Sequence, residues 1–470
     1  MRALVTIVLM TCLAACGGAD LELWHTVDLE HEFSEDTAAD IQTYADYLVL
    51  EERLFAEMQD KVIGRVGTGP EQTLNRYSAG SAADPGVLRP NWNRTFELIP
   101  ASARGGVLLL HGMSDSPYSL RAIGQTLYEG GYRVVGLRLP GHGTIPAGLT
   151  TVRWQEMAAV TELAMSHLSG ELTGKPLHIV GYSTGAALAL NYALDAKERE
   201  ELTLPASLVL VSPAIGISPA AALARVMRRL GALPGLEHLA WLDVMQEFDP
   251  YKYNSFAANA AEQVHRLTRR VARRVAAFTA SDDEVFLPPI LALKSTVDAT
   301  VDTNALVDSL LARLSDDRHE LVLYDINRSA VASPLLIRDP APLTDRVLAG
   351  ELNFALTLVG SSSPESTSVH ALYRPAGAPG FIAQSMLDAV WPRGVVSLSH
   401  VALSFPPDDP LYGAEPPESD GHIYLGHLPL QGERGLLTIP SDFLMRLRHN
   451  PFYAHLEQRI VAWLDAASTD

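Results

Sequence analysis

From residue 96 onward the chain repeats one pattern: a short, almost unbroken run of valine, isoleucine and leucine, then a segment with helical spacing. The runs are GVLLLHG (106–112), YRVVGLRLPGHG (132–143), LHIVG (177–181), SLVLVSP (207–213), ILALKSTVD (290–298) and ELVLYDIN (320–327). A strand with one face in water alternates apolar and polar side chains. A strand apolar at nearly every position is covered on both faces, which is the situation of parallel strands with helices packed above and below. The pattern predicts an α/β architecture with a mostly parallel central sheet flanked by helices.

The run LHIVG leads directly into GYSTGAALALNYAL (181–194), where Gly181 and Gly185 straddle Ser183. Strand, tight turn and helix follow one another without a linker. In that setting two glycines allow a strained turn that lifts a serine hydroxyl above the sheet. Gly-x-Ser-x-Gly alone is a weak signal; the flanking strand and helix make it a specific one. The alternative is a tight turn that needs glycines and carries a serine by accident.

Three stretches in this order, LLLHGMSDSPYSL (108–120), LRLPGHG (137–143) and LHIVGYSTGAALAL (177–190), resemble the α/β-hydrolase superfamily, in particular its capped lipase-, esterase- and serine-aminopeptidase-like branch. The resemblance is clear over about 96–300 and loose beyond. It implies an α/β-hydrolase fold with a helical cap insertion, and Ser183 as a nucleophile. It also implies an oxyanion hole from the backbone N–H groups of Met113 and Thr184, and an acid at Asp298 in PPILALKSTVDATVD (288–302), with Asp302 as the fallback. The competing reading of either aspartate is a cap for the helix starting near Thr303. His111 and His142 match turn positions of the family and are expected to be structural.

The base is where the sequence departs from the family. The strand after Asp298 ends in Asn327 and Arg328, and His319 precedes that strand, at the edge opposite the serine. Two later runs read as strands, NFALTLVG (353–360) and GVVSLSH (394–400). His400 ends the second, which puts it on the rim where ligands meet open sheets and keeps the chain order Ser, Asp, His. The rivals His422 and His427 lie in the glycine-rich SDGHIYLGHLPLQG (419–432) and read as surface-loop residues.

Outside this core, residues 16–95 read as an N-terminal helical extension, with a long amphipathic helix over 36–63 carrying Ile41, Tyr44, Leu48, Phe55, Met58 and Val62 on one stripe. Residues 219–287 read as a helical cap between the two parts of the core, 96–218 and 288–470. Within it EQVHRLTRRVARRVAAF (262–278) is amphipathic with arginines over its polar face. A basic helix face suits anionic lipid headgroups, and it equally suits plain solvation.

The first fifteen residues read as a signal peptide, with Arg2 before the apolar stretch 4–10. Leu13-Ala14-Ala15-Cys16 resembles the lipobox of bacterial lipoproteins, which implies lipidation of Cys16. Gly17 in the next position implies the outer membrane, facing the periplasm. The chain has two cysteines, and removal of the signal takes Cys12 with it, so the mature chain can form no internal disulfide. A formal net charge of −19 argues against a nucleic-acid partner. Neither a zinc-type Cys/His cluster nor a phosphate loop is present, so no metal or cofactor is expected. The expected function is a membrane-tethered serine hydrolase of carboxylic esters, with an acyl-ester or lipid substrate. The alternatives are a serine peptidase of the aminopeptidase type and a non-catalytic, lipid-tethered binding protein.

Overall fold

The computed structural model describes residues 20–468, apart from 217–220, 232, 279–286, 299, 302, 315–316, 331–335, 337–339, 341–344, 348–349, 351, 364–365, 418–420, 427 and 429–443. The signal peptide, Cys16, Asp302 and His427 lie outside the described residues.

Along the chain, helix α1 (Leu23–Thr26) and helix α2 (Tyr44–Lys61) precede strands β1 (Phe96–Leu98) and β2 (Gly105–Leu110). Next come α3 (Arg121–Glu129), β3 (Tyr132–Leu137), α4 (Trp154–Glu171), β4 (Leu177–Tyr182), α5 (Thr184–Glu198) and β5 (Ser207–Val211). The insertion contains α6 (Ala221–Gly231), a short hairpin β6 (Trp241–Asp243) and β7 (Phe256–Ala257), and α7 (Ala258–Phe278). After it follow β8 (Ile290–Ser295), α8 (Thr303–Ser309), β9 (Glu320–Tyr324), β10 (Ala355–Ser361), β11 (Ser368–Arg374), β12 (Ala383–Val390) and α9 (Tyr453–Ala467).

Among the described residues the main sheet has the order β1-β3-β2-β4-β5-β8-β9-β10-β11-β12. From β3 to β10 all neighbours are parallel; β1, β11 and β12 pair antiparallel. The predicted runs become strands because each has two apolar faces to bury. Leu108, Ile179, Leu210, Ala292 and Leu321 point into one core, with α2, α4, α5 and α7. Val107, Val180, Val209, Leu291 and Val322 point into the other, with α3 and α9.

The N-terminal helix starts later than its apolar stripe suggests. Thr43 Oγ1 accepts the Asp46 N–H (3.1 Å) while the Asp46 carboxylate accepts the Thr43 N–H (2.9 Å), so the first turn is capped at Tyr44 and residues 35–40 form turns. Its buried face is Tyr44, Tyr47, Leu50, Leu54, Phe55 and Met58, a slight rotation from the predicted one. The extension is tied to the end of β3. Arg138, fully buried, pairs with Glu32 (3.0 Å) and Glu51 (3.1 Å), and Tyr47 donates to the Arg138 carbonyl (2.7 Å).

The C-terminal part differs from the expected strands in one respect. Residues 353–360 hold all but the last residue of β10, as expected, but GVVSLSH (394–400) is not a strand. Two strands the sequence reading passed over, β11 and β12, complete the edge instead, and 394–400 is a loop whose carbonyls are taken from several sides. The Val395 and Val396 carbonyls accept from the Asn327 side chain (2.8 Å) and backbone (2.7 Å). Ser295 Oγ donates to the Leu398 carbonyl (3.0 Å). The loop is apolar because it packs Leu398 and part of Val395 against the core, not because it pairs.

Candidate active site

Strand β4 delivers the nucleophile candidate. Ser183 sits between β4 and α5 with φ 53° and ψ −111°, a left-handed conformation that L-residues adopt only at a cost of about 1–3 kcal/mol. The turn exists because its flanks carry no side chains. A Cβ on Gly181 would lie 2.5 Å from the Gly185 carbonyl oxygen and 2.6 Å from the Ala186 backbone, and a Cβ on Gly185 would collide with the Leu110 carbonyl of β2. The backbone is pinned further by the Ser183 N–H donating to the Val211 carbonyl (2.9 Å), and by the Ser183 carbonyl accepting from Ala214 (3.0 Å) and Ala186 (3.1 Å). Ser114, Ser183 and Ser212 are the non-glycine residues with positive φ among those described, and all three lie just past the C-terminal ends of β2, β4 and β5. Backbone strain is thus concentrated on one rim of the sheet.

The structure brings three of the sequence-predicted residues together there. His400 Nε2 stands 3.1 Å from Ser183 Oγ, and His400 Nδ1 stands 2.7 Å from Asp298 Oδ2. With Asp298 ionised, Nδ1 carries the proton and donates, which leaves the Nε2 lone pair to accept from the serine hydroxyl. Ser183 and His400 are partly exposed and the Asp298 side chain is fully buried, so the acid is the member sealed from solvent.

Asp298 is held on both oxygens. Oδ1 accepts the N–H groups of Thr300 (2.8 Å) and Val301 (3.1 Å); Oδ2 accepts from His400 and from the fully buried Lys294 ammonium (2.8 Å). Burial pushes this carboxyl up. The hydrogen bond and charge of His400, with the charge of Lys294, outweigh burial and hold it well below the usual carboxylate range. These bonds do not show the capping alternative: Thr300 and Val301 precede α8, which begins at Thr303, so the carboxylate braces the turn ahead of the helix. Lys294 carried no expectation. Its signal was a lysine inside an otherwise apolar strand, four residues before the acid.

Of the two expected oxyanion donors, Thr184 directly follows the serine and Met113 directly follows Gly112. Thr184 opens α5, where first-turn N–H groups have no intrahelical acceptor. A Cβ on Gly112 would lie 3.2 Å from the Ser183 Cβ, so the segment leading into Met113 passes against the nucleophile. The hydrogen bonds among the described residues use neither N–H.

The other histidines stand elsewhere. His111 Nδ1 donates to the Gly112 carbonyl (2.9 Å) and its Nε2 accepts the Leu139 N–H (3.1 Å). His142 Nδ1 donates to the Pro140 carbonyl (2.9 Å). Burial holds His111 well below its usual value and His142 at about 4, so both are neutral pins of the rim loops. His319 is buried at the start of the sheet, where its Nδ1 accepts the Ile290 N–H (3.1 Å). His422 is exposed in its loop.

The insertion meets this rim through its middle rather than through its arginine helix. Lys252 pairs with Asp115 (2.9 Å), the Tyr253 N–H donates to the Ser114 carbonyl (2.8 Å), and the Tyr253 hydroxyl accepts the Thr144 N–H (2.8 Å). The arginines of α7 are largely spent within the protein. Arg270 and Arg274 pair with Asp195 of α5 (3.3 and 2.6 Å), Arg274 also with Glu198 (2.9 Å), and Arg266 with Glu262 (2.7 Å). Arg266, Arg270 and Arg274 are thus ion-paired within the protein. Among the described residues, no helix is long and apolar enough to cross a membrane, and no group of three or more His, Cys, Asp or Glu is arranged to hold a metal ion.

Comparison with known proteins agrees with the topology. Residues 107–323 match the model of the alpha/beta hydrolase family. A stretch of 88 residues, 19% of this chain, is 31% identical to the thermostable monoacylglycerol lipase of Bacillus sp. (strain H-257) and spans about a third (34%) of that protein's length. Among solved structures, a metagenome-derived lipolytic enzyme aligns at 22% identity over 49% of this chain and 87% of its own, with a TM-score of 0.40. The monoacylglycerol lipase of Paleococcus ferrophilus aligns at 19% identity over 49% and 88%, with a TM-score of 0.38. The fold assignment rests on the family match and the strand order, not on these scores. By both, the chain carries an α/β-hydrolase fold, and its residues 107–323 are similar to the alpha/beta hydrolase family.

Proposed function

We propose that this protein is a serine hydrolase of carboxylic esters, acting through an acyl-enzyme on Ser183. The observation that supports the reading most is the unbroken hydrogen-bond chain from Ser183 Oγ through His400 to Asp298, on a strained turn at the sheet rim. Ser183 Oγ attacks the ester carbonyl carbon as His400 Nε2 takes the hydroxyl proton. The carbonyl oxygen becomes an oxyanion facing the Met113 and Thr184 N–H groups. The carbon–oxygen bond to the alcohol then breaks, and the imidazolium gives its proton to the departing alkoxide. Water enters, His400 deprotonates it, and the hydroxide displaces the acyl group as a carboxylic acid, returning the proton to Ser183. Asp298 remains ionised throughout and stabilises the imidazolium.

The Bacillus relative, a monoacylglycerol lipase, supports an acyl ester as the substrate class. A lipid anchor on Cys16 at the outer membrane, facing the periplasm, would keep such an enzyme beside its substrates, since each buried methylene of an acyl chain contributes roughly 0.8 kcal/mol to anchoring. The test is a p-nitrophenyl acyl-chain series set against an aminoacyl p-nitroanilide, with Ser183→Ala as control. Ester turnover that drops by about 10⁴-fold or more in Ser183→Ala is expected. Turnover of the anilide alone would replace the reading with a peptidase, and turnover of neither would leave a binding protein.

A further inference from the structure

The lysine beside the acid has no part in the mechanism above. Lys294 lies in β8 between apolar neighbours: Ile290 and Ala292 face one core, Leu291 and Leu293 the other. Its side chain is fully buried, as is that of Asp298. Removing an ammonium from water costs several kcal/mol unless a counter-charge is well placed, so the position of Asp298 Oδ2, 2.8 Å away, is what makes this lysine tolerable. The same oxygen accepts His400 Nδ1 at 2.7 Å. Two cationic or potentially cationic donors therefore share one acceptor atom.

We propose that Lys294 is a positioning residue of this site: its ammonium fixes the rotation of the Asp298 carboxylate and offsets part of the charge that His400 receives from it. The inference rests on the reading of Ser183, His400 and Asp298 as one catalytic unit, and it deepens that reading.

Two consequences follow from the geometry. A carboxylate offers about four lone-pair sites. Thr300 and Val301 occupy those of Oδ1 while His400 and Lys294 occupy those of Oδ2, so any turn of the group breaks several bonds at once. The His400 ring is thereby held in one tautomer and one orientation. Second, an imidazolium at His400 is attracted by the carboxylate and repelled by the ammonium. The ammonium thus opposes, across Asp298 Oδ2, the hold that the carboxylate has on the imidazolium. Other ionisable groups around the acid, among the described residues, act less directly. Tyr182 of β4 is held neutral by burial and by the charges of Asp115 and Asp298. Asp325, reached through Thr296 (3.4 Å), is paired with Arg328 (2.9 Å), and Asp115 with Lys252 (2.9 Å).

Three variants separate charge from hydrogen bonding: Lys294→Gln keeps a donor without charge, Lys294→Met removes both, and Lys294→Arg keeps both. The pH profile of kcat/KM for a p-nitrophenyl ester is measured in each. The His400 titration is followed in parallel by NMR in a Ser183→Ala background, where no turnover is needed. The acid limb and the NMR midpoint should move upward by about one pH unit in Lys294→Gln and Lys294→Met, and return toward the parent value in Lys294→Arg. A midpoint unchanged or lowered in folded Lys294→Gln or Lys294→Met protein would overturn the proposal. Failure of all three variants to fold would do the same, by assigning Lys294 to stability alone. Absence of ester turnover in the parent protein would sink the hydrolase reading, and the NMR midpoints would still decide the role of Lys294.

Discussion

Ser183 and His400 meet at 3.1 Å but are held in opposite ways. The serine's geometry is local. One strand, two glycines and one helix within 177–198 set its strained backbone, and the nearest constraints are atoms of β2 and β5. The histidine's geometry is long-range. It rides on a loop without secondary structure, fastened by Asn327 after β9, by Ser295 at the end of β8, by the Ser212 hydroxyl on the His400 carbonyl itself (3.3 Å), and by the Ser399 hydroxyl on the Leu447 carbonyl (2.6 Å). A nucleophile that must adopt a costly conformation needs a rigid, contiguous frame. A base needs only to arrive at the right place, and several modest hydrogen bonds from separate elements suffice.

The contrast predicts unequal responses to mutation. The largest belongs to the elbow: Gly185→Ala forces a methyl group into the Leu110 carbonyl. A loss of about 3 kcal/mol or more is expected in urea denaturation, with ester turnover abolished. An active, stable Gly185→Ala protein would show that the turn is not pinned as described. The histidine loop should give way more gently. Asn327→Ala removes one of its ties while leaving the backbone bond to Val396, so stability should fall by about 1 kcal/mol. Turnover should drop roughly tenfold, through kcat more than KM, because a tilted imidazole loses its line to the serine. Equal losses in kcat and stability from the two substitutions would erase the distinction between the regions.

The smallest effect lies in the insertion. Glu247 is fully buried, and burial pushes its carboxyl up to about 7 from an ordinary 4.5. Between those values the unfolded chain has released the proton that the folded chain still holds, so this group's contribution to stability falls as pH rises through about 4.5 to 7 and is level on either side. Melting temperatures of Glu247→Gln should decline less than the parent's across that window. Identical slopes would show that Glu247 stays ionised in the folded protein.

The same contrast explains what the sequence made legible. Continuous apolar runs identify strands buried on both faces, and the runs containing β2, β3, β4, β5, β8, β9 and β10 formed strands because helices cover both sides of the sheet. The Gly-Tyr-Ser-Thr-Gly turn is a local signal for the same reason that its geometry is local. The route to His400 was less legible. An apolar run reports burial, and GVVSLSH packs Leu398 into the core without being paired, since its carbonyls are claimed by Asn327, Ser295 and Ser212 from distant parts of the chain. Strand β12 was missed for the converse reason: it is paired, yet much of it faces solvent, with Met386 within it and Ile382 beside it strongly exposed. Lys294 broke an apolar pattern and passed unremarked, because its partner became meaningful only once β8 and the loop after it were seen to fold the aspartate back.

The account stands or falls on whether the His400 imidazole makes the Ser183 hydroxyl a nucleophile. The direct measurement is covalent labelling by diisopropyl fluorophosphate, read by intact mass and peptide mapping in the parent protein, in His400→Ala and in Ser183→Ala. One phosphoryl adduct should appear on Ser183 in the parent, form at least about a thousandfold more slowly in His400→Ala, and be absent in Ser183→Ala. An adduct on another residue, or labelling of Ser183 at the parent rate without His400, would contradict the account.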